Sequence, residues 1–219
     1  MSEAAPGYDD NPVFATPERA ELAQAIRELI ESAMTSPDAT EKELINAANA
    51  IRRTTAALVH VTAGVEAVGY KPRSHDDYLP RSPVVGESSP LSPRLDWEIV
   101  DGKCVATGTF TAAYEGPPGY VHGGMIALAF DEVLGIVNIA NGSPGMTGSL
   151  SIRYRMPTPL YREVRLVAWV DRKEGRRIQS RAELRVDGQV CAEASGLFIQ
   201  PRPELAEKYF GRTSSQEND

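Results

Sequence analysis

The chain has 219 residues, a net charge of −7 and a pI near 5.1, with 42% hydrophobic and 24% charged residues. That is ordinary globular composition with room for one domain plus an extension, and the acidic balance argues against a general nucleic-acid or anionic-membrane binder, although a local basic patch could still hold a phosphate. Two cysteines, Cys104 and Cys191, make no disulfide framework and fit a reducing cytoplasm; the acidic N-terminus carries no apolar signal-like run, and no stretch reaches ~18 unbroken apolar residues, so neither a signal peptide nor a membrane span is expected.

Residues 1–15 read as a disordered lead-in. Thr16-Pro17-Glu18 then opens a helix with a capping threonine, proline at the first helical position and an acid in the first turn. Leu22, Ile26, Leu29, Ile30 and Ala33 follow at helical spacing, and Ser36-Pro37-Asp38 ends the run. Thr40-Glu41-Lys42-Glu43 has capping-box form. It opens a second helix with Leu44, Ala48, Ile51, Thr55 and Leu58 on one stripe, ending near Gly64. These two amphipathic helices are expected to pack on the main domain or on a partner chain. Residues 1–68 are thus a lead-in and helical extension. Residues 69–94 hold five prolines and many small polar residues, and read as a linker or a loop draped over the surface.

From Leu95 the texture changes. Residues 95–100 and 103–114 read as strands around Asp101-Gly102, a strong hairpin signal. A long helical run follows, then strands over 147–155, 163–172, 177–186 and 189–199, with Lys173-Glu174-Gly175 and Asp187-Gly188 as turns. Leu150, Ile152 and Tyr154 alternate with Ser151, Arg153 and Arg155, which gives one buried and one wet or ligand-facing side. The main domain spans 95–202, and 203–219 reads as a disordered tail.

The helical run is 119–140, and it organises the rest. Pro117 and Pro118 stop what precedes it, and His122-Gly123-Gly124 opens it. Met125, Ile126, Ala127, Leu128, Ala129, Phe130, Val133, Leu134, Ile136 and Val137 make it apolar nearly all round. Such a helix belongs inside something. A mostly antiparallel sheet must therefore curl round it, which is the α+β architecture called hotdog. Only Asp131 and Glu132 break its middle. A buried carboxylate needs a reason, because an unpaired buried charge is costly. The glycines offer bare backbone N–H groups at the positive end of a helix dipole. One helix thus carries an oxyanion-binding start and an acid in its middle. Other chemistries lack their motifs: there is no G-x-S-x-G, H-E-x-x-H, C-x-x-C, Walker A loop or dinucleotide fingerprint, and His60, His75 and His122 lie far apart. No metal and no cofactor is expected.

The run Gly116-Pro117-Pro118-Gly119-Tyr120-Val121-His122-Gly123-Gly124, with Asp131 seven residues on, resembles the hotdog-fold acyl-CoA thioesterases of the PaaI-like group. It looks especially like the branch containing the mammalian mitochondrial thioesterase superfamily members. Thr147, sixteen residues after Asp131, falls where that branch places an active-site threonine. The resemblance covers about 95–200 and leaves 1–94 outside it. It implies that the Gly123 N–H, with Gly124, polarises a thioester carbonyl. It implies Asp131 as general base or nucleophile, Thr147 as the group orienting water or the carboxylate, and His122 as a loop-fixing or substrate-contacting residue. Glu132, about 100° round the helix, is expected to be a structural or interface acid. Tyr114 and Tyr120 flank the Pro-Gly loop and are candidates for the acyl channel. Arg153, Arg155, Arg172, Lys173, Arg176 and Arg177 are candidates to meet the phosphates of coenzyme A.

Geometry adds a constraint. Asp131 lies roughly 10 Å beyond Gly124 along the helix axis at about 1.5 Å per residue. An Asp side chain cannot close that gap to a carbonyl held at Gly123, so the acid must come from another subunit. The expectation is an obligate homodimer with composite sites, alone or as a dimer of dimers. The leading function is hydrolysis of an acyl-CoA thioester. The alternatives are a non-catalytic acyl-CoA-binding or sensing module, and a hotdog dehydratase, against which the glycine-to-Asp131 pattern speaks. If residues 1–70 are only a packing extension, their deletion should lower stability and leave turnover nearly intact.

Overall fold

The computed structural model describes residues 16–62 and 78–202. The expected lead-in, the chain over 63–77 and the expected tail lie outside the described residues. Helix α1 spans Pro17–Thr35, with Pro17 in the first turn; Thr16 sits at the N-cap position, but its hydroxyl makes no capping bond, contrary to the expectation of a capping threonine. Helix α2 spans Glu41–Thr62. Its capping box closes as the sequence pattern requires: Glu43 N–H donates to Thr40 Oγ1 at 3.3 Å, and Glu43 Oε2 accepts from the Thr40 N–H at 2.9 Å. The apolar stripe of α2 stays open, since Leu44, Ile51 and Leu58 are all exposed. The main domain does not cover it.

The described part of the Pro-rich stretch, 78–94, is an ordered strap. A single helical turn, α3 (Tyr78–Arg81), opens it. Ser82 Oγ accepts from the N–H groups of Val84 and Val85 at 3.1 and 3.2 Å, and the Ser92 hydroxyl donates to Val84 O at 2.7 Å. Val84 and Leu95 are buried in the main core. Gly86 sits so close to the turn before it that a Cβ would come within 2.5 Å of the Ser82 backbone. Short side chains and prolines here serve tight turns packed on the domain rather than free reach.

Six strands form one antiparallel sheet in the order β1-β2-β4-β5-β6-β3. They are β1 Asp96–Val100, β2 Lys103–Thr109, β3 Met146–Tyr154, β4 Glu163–Glu174, β5 Arg177–Val186 and β6 Gln189–Ile199. The two Asp-Gly turns have both central residues at positive φ, 49° and 72° at Asp101-Gly102 and 49° and 80° at Asp187-Gly188. That pair of conformations matches the twist of a hairpin, which is why the dipeptide signals it. The third turn is Gly175-Arg176 rather than 173–175, because β4 continues two residues further than the sequence suggests, to Glu174. The expected strand over 103–114 is also corrected. It stops at Thr109, and Ala112–Tyr114 is a 3-10 turn. Phe110 and Tyr114 pack edge to face with ring centroids 5.6 Å apart. The two aromatics are thus buried by leaving the sheet, not by alternating along it.

Helix α4 (Gly123–Ala140) lies against the concave face of the sheet and buries Ile126, Ala129, Phe130, Val133, Leu134, Ile136 and Val137. This is the hotdog arrangement. By length and composition α4 could cross a membrane, but its apolar surface is the core of this domain. Along β3 the register slips between Thr147 and Ser149, leaving Gly148 as an extra residue. The slip changes parity. Thr147 therefore shares a face with Leu150, Ile152 and Tyr154, whereas strict alternation would set it on the other side.

Leu134 is fully buried between α4 and the sheet. Leu134→Ala should cost about 2–5 kcal/mol of unfolding free energy, measured in urea melts, with little change in the slope of the transition.

Candidate active site

The start of α4 is held from three sides. His122 is its N-cap residue, with extended φ and ψ of −61° and 131°. The His122 N–H donates to Tyr114 O at 2.9 Å, and the Val121 N–H donates to Thr158 O at 2.8 Å. Glu115 Oε1 accepts from the Gly119 N–H at 2.6 Å, and Gly119 turns the loop at φ 81°. Gly116 passes so close to the helix start that a Cβ there would lie 2.7 Å from His122 Cα. The Pro-Gly-rich run is thus a rigid collar, and its glycine at 116 is required by contact with His122.

Within that collar the first helical N–H groups are unequal. The Met125 and Ile126 N–H groups donate to His122 O at 2.9 and 3.3 Å. The Gly124 N–H donates to His122 Nδ1 at 3.0 Å. This cap requires an unprotonated Nδ1, so the proton of the neutral ring sits on Nε2. Among the described residues no acceptor takes the Gly123 N–H. Gly123, not Gly124, therefore presents the free donor at the positive end of the helix. Tyr120 is exposed beside it, its backbone bridged to Pro159.

Asp131 lies two turns further along α4, half-buried. The Thr147 hydroxyl donates to Asp131 Oδ1 at 2.8 Å. The β3 bulge makes this bond possible by turning Thr147 toward the helix. At the other end of β3, the Tyr154 hydroxyl donates to Gly123 O at 2.7 Å. The sequence reading gave Tyr154 no site role, although its alternation with Leu150 and Ile152 already set it on the helix-facing side. Strand β3 is thus tied to α4 at both ends, and it runs antiparallel to the helix.

Glu132 is a buried acid of a different kind. Its Oε2 accepts from the Tyr78 hydroxyl at 2.8 Å, and its Oε1 has no partner among the described residues. Burial raises its pKa, and the nearby Asp131 charge adds to the rise, while bonds from Ser82 and Tyr78 oppose it. The Tyr78 phenol is raised in turn, mainly by burial and then by the Glu132 charge. Glu132 fastens the strap to the central helix, as a structural acid would.

The arginines expected to meet phosphate fall into two sets. Arg155 forms an exposed ion pair with Glu193 at 2.7 Å, and Arg153 pairs in register with Glu193 on β6. Arg176 Nε donates to Gln200 O at 2.8 Å, and Arg177 pairs in register with Ile199, which pairs with Met146. Arg172 reaches Glu174, and Lys173 donates to Ser143 Oγ. The first set sits at the Tyr154 end of β3 and the second at the Met146 end. They are separated by roughly 20 Å at about 3.3 Å per strand residue. One chain does not bring them together.

A curled sheet around an acid-bearing central helix with a bare N–H at its start defines a hotdog protein. The sequence profile of the thioesterase superfamily matches residues 118–193, a span that holds Gly123, Asp131, Thr147 and Tyr154. A crystal structure of a thioesterase superfamily protein superposes with a TM-score of 0.70 at 30% identity, covering 83% of this chain and 94% of that one. The chain belongs to the thioesterase superfamily. Acyl-coenzyme A thioesterase THEM4 of Xenopus laevis is 35% identical over 91 residues, 41% of each chain. THEM4 of Bos taurus is 37% identical over 92 residues, covering 41% of this chain and 38% of its own. The match thus spans about two fifths of these curated relatives.

The raised pKa of Glu132 fixes the sign of a pH effect. The folded state binds this proton more tightly than the unfolded chain, so the carboxyl lowers stability as pH rises above the ordinary carboxylate range toward the folded value. Glu132→Gln keeps an acceptor for Tyr78 and removes the buried charge. It should be more stable than wild type by about 1 kcal/mol at pH 8, with the gap closing toward pH 5, in thermal melts across that range. A Glu132→Gln protein less stable than wild type at pH 8 would contradict this account.

Proposed function

We propose that the protein is an acyl-CoA thioesterase, hydrolysing a thioester to a carboxylic acid and free coenzyme A. The observation that carries the reading is the pairing on one helix of a free Gly123 N–H with Asp131, whose carboxylate is steadied by Thr147. The thioester carbonyl oxygen accepts from the Gly123 N–H, where charge develops as the tetrahedral intermediate forms. Asp131 Oδ1 is occupied by Thr147, which leaves Oδ2 to take a proton from water. The water oxygen bonds to the carbonyl carbon, the C–S bond breaks, and the sulfur leaves as thiolate and is protonated. His122 fixes the helix start through Nδ1 and keeps the Gly124 N–H occupied, so a single backbone donor faces the oxyanion.

The catalytic pair is completed across a homodimer. Gly123 and Asp131 are eight residues apart on α4, about 12 Å along its axis. Strand β3 is an edge of the sheet with most of its residues exposed, an open row of backbone donors and acceptors. Two such strands pairing antiparallel about a two-fold axis at Ser151, with Gly148 bulged out of the ladder, set Thr147 of one chain beside the partner subunit's Tyr154. Each Asp131 is tied to its own Thr147 and each Gly123 to its own Tyr154. The same pairing therefore sets Asp131 of one chain against the partner subunit's Gly123. It also brings Arg176 and Arg177 of one chain toward the partner subunit's Arg153 and Arg155. The two half-patches become one cationic rim, suited to the phosphates of coenzyme A.

Two variants test the pair. Gly123→Pro removes only the donor, because proline is tolerated at the first helical position and His122 already has the extended conformation that must precede it. It should fold and lose about 10²–10³ in kcat for thiol release from acyl-CoAs. Asp131→Asn should lose turnover as well. Co-refolded in equal amounts, the two inactive proteins should recover about a quarter of wild-type activity, since half the dimers then hold one intact site. No recovery would place both groups of a working site in one chain. Single-turnover hydrolysis in ¹⁸O-water separates the roles of Asp131: label only in the released acid supports a base, and label in Asp131 would show an anhydride instead.

A further inference from the structure

Helix α1 is poorly suited to a purely structural role. Of its 19 residues only Ala23 is buried, while Leu22, Leu29 and Met34 are exposed. A cleft of about 290 Å³ separates it from the domain, lined by Ile30, Pro93, Ala113 and Tyr114 among others. Apolar packing through Ala23 and the half-buried Ile26 and Ile30 is thin, and polar contacts add to it. Arg27 donates to Ser89 O at 2.8 Å and Glu87 O at 3.4 Å on the strap. Glu31 accepts from the Tyr161 hydroxyl.

The second contact leads to the oxyanion turn. Tyr161 is held at φ 58°, a left-handed conformation that a bulky side chain rarely adopts and that persists only where the surroundings enforce it. What enforces it is on both sides of the ring. Its N–H donates to Phe110 O at 2.9 Å, and its hydroxyl oxygen accepts from the Ala112 N–H at 3.1 Å. Tyr161 thereby grips both ends of the bend that opens the 3-10 turn. The Glu31 carboxylate faces the same bend: burial acts against its charge, yet the nearby polar groups of Thr111, Tyr161, Ala112 and Ala113 lower its pKa overall. The Tyr161 hydroxyl donates to Oε1, and Oε2 has no hydrogen-bond partner among the described residues. The far end of this turn is Tyr114, whose carbonyl takes the His122 N–H. The path runs from Glu31 through Tyr161 and the 3-10 turn to His122, the residue that caps α4 and sets where Gly123 points.

We propose that Glu31 and Tyr161 are positioning residues that lock the oxyanion turn, so that the N-terminal helix is a working part of the site and not a packing extension. The kinetic consequence rests on the thioesterase reading, while the mechanical link does not. This differs from the expectation that the first 70 residues could be lost without harm to turnover.

The test compares wild type, Glu31→Ala, Glu31→Gln, Tyr161→Phe and the double variant Glu31→Ala/Tyr161→Phe, with Leu29→Ser as a control on the exposed face of α1. Amide hydrogen exchange is read first, because it needs no substrate. In Glu31→Ala, peptides covering 110–124 should exchange at least tenfold faster, with those of β4 to β6 unchanged; Glu31→Gln should recover most of the protection and Leu29→Ser should match wild type. Unchanged exchange over 110–124, or an equal rise across the whole domain, would overturn the proposal. In turnover assays Glu31→Ala should lower kcat roughly tenfold with KM within about twofold, the signature of a misplaced donor. The double variant should be no worse than the weaker single one, and multiplied losses would mean that the two residues do not share a path. Should wild type release no thiol from any acyl-CoA, the thioesterase reading fails and the exchange experiment still decides this one.

Discussion

A helix that is apolar on every side can be stable only if something surrounds it, and that requirement on α4 shapes the rest of the molecule. The sheet supplies most of the cover, with Val164, Leu166, Ala168, Ile178, Leu184 and Phe198 facing the helix from the central strands. The strap supplies more through Val84 and Leu95. The polar groups on this helix are each given one partner. Asn138, deep in the core, receives the Ser180 hydroxyl at 2.5 Å, and Glu132 receives Tyr78. Asp131 receives Thr147 and keeps an oxygen free. The three groups sit in the same helix and differ in exposure: Asn138 Nδ2 and Glu132 Oε1 are buried without a partner among the described residues, whereas Asp131 is half-buried, so its open oxygen is the one that water can reach.

The same logic governs the helix start. Four N–H groups at an α-helix N-terminus lack intrahelical partners. Here three of them are settled at His122: its own N–H goes to Tyr114 O, its carbonyl takes Met125, and its ring takes Gly124. Gly123 remains. A collar that is rigid by close approach, with Gly116 against His122 and the Pro117 carbonyl holding the Tyr120 N–H at 2.9 Å, fixes the direction of that last donor. In the proposed mechanism such pre-organisation would matter, because a donor fixed in advance costs no rearrangement as charge develops on the carbonyl oxygen.

Much of this was legible in the sequence because it follows from local rules. Proline and threonine marked the start of α1, a reciprocal Thr-Glu pair the start of α2, and Asp-Gly two hairpins. The acid-bearing apolar run marked the core helix, and with it the hotdog class. What stayed hidden depends on counting or contact at a distance. The Gly148 bulge adds one residue to β3, and nothing in the pattern distinguishes an extra glycine from a paired one. Without the bulge Thr147 would face away from Asp131, so the threonine was found by likeness and not by periodicity. The apolar residues Phe110 and Tyr114 extended the β2 pattern past its end, because alternation cannot tell a strand from a turn that buries two rings on one side. The equivalence of Gly123 and Gly124 was broken by a ring nitrogen, a choice of rotamer that composition does not encode. The path through Glu31 and Tyr161 joins residues 130 positions apart, and only a left-handed tyrosine betrays it.

The two ties between β3 and α4 turn a local geometry into a statement about assembly. Were Thr147 and Tyr154 at the same end of the helix, one chain would hold donor and acid together and an exposed β3 edge would be a liability alone. They are at opposite ends, and the strand runs against the helix. In the proposed homodimer a two-fold axis through the middle of β3 would exchange the ends, bringing the free N–H of one chain to the free carboxylate oxygen of the other. The bulge belongs to that design, since it is what aims Thr147 inward at one end while Tyr154 points inward at the other. The cationic residues divide between the same two ends, so the proposed axis that would unite donor and acid would also unite these charges. An edge strand left open, an acid out of reach of its donor and a split arginine patch are three separate deficits of the single chain. One operation removes all three.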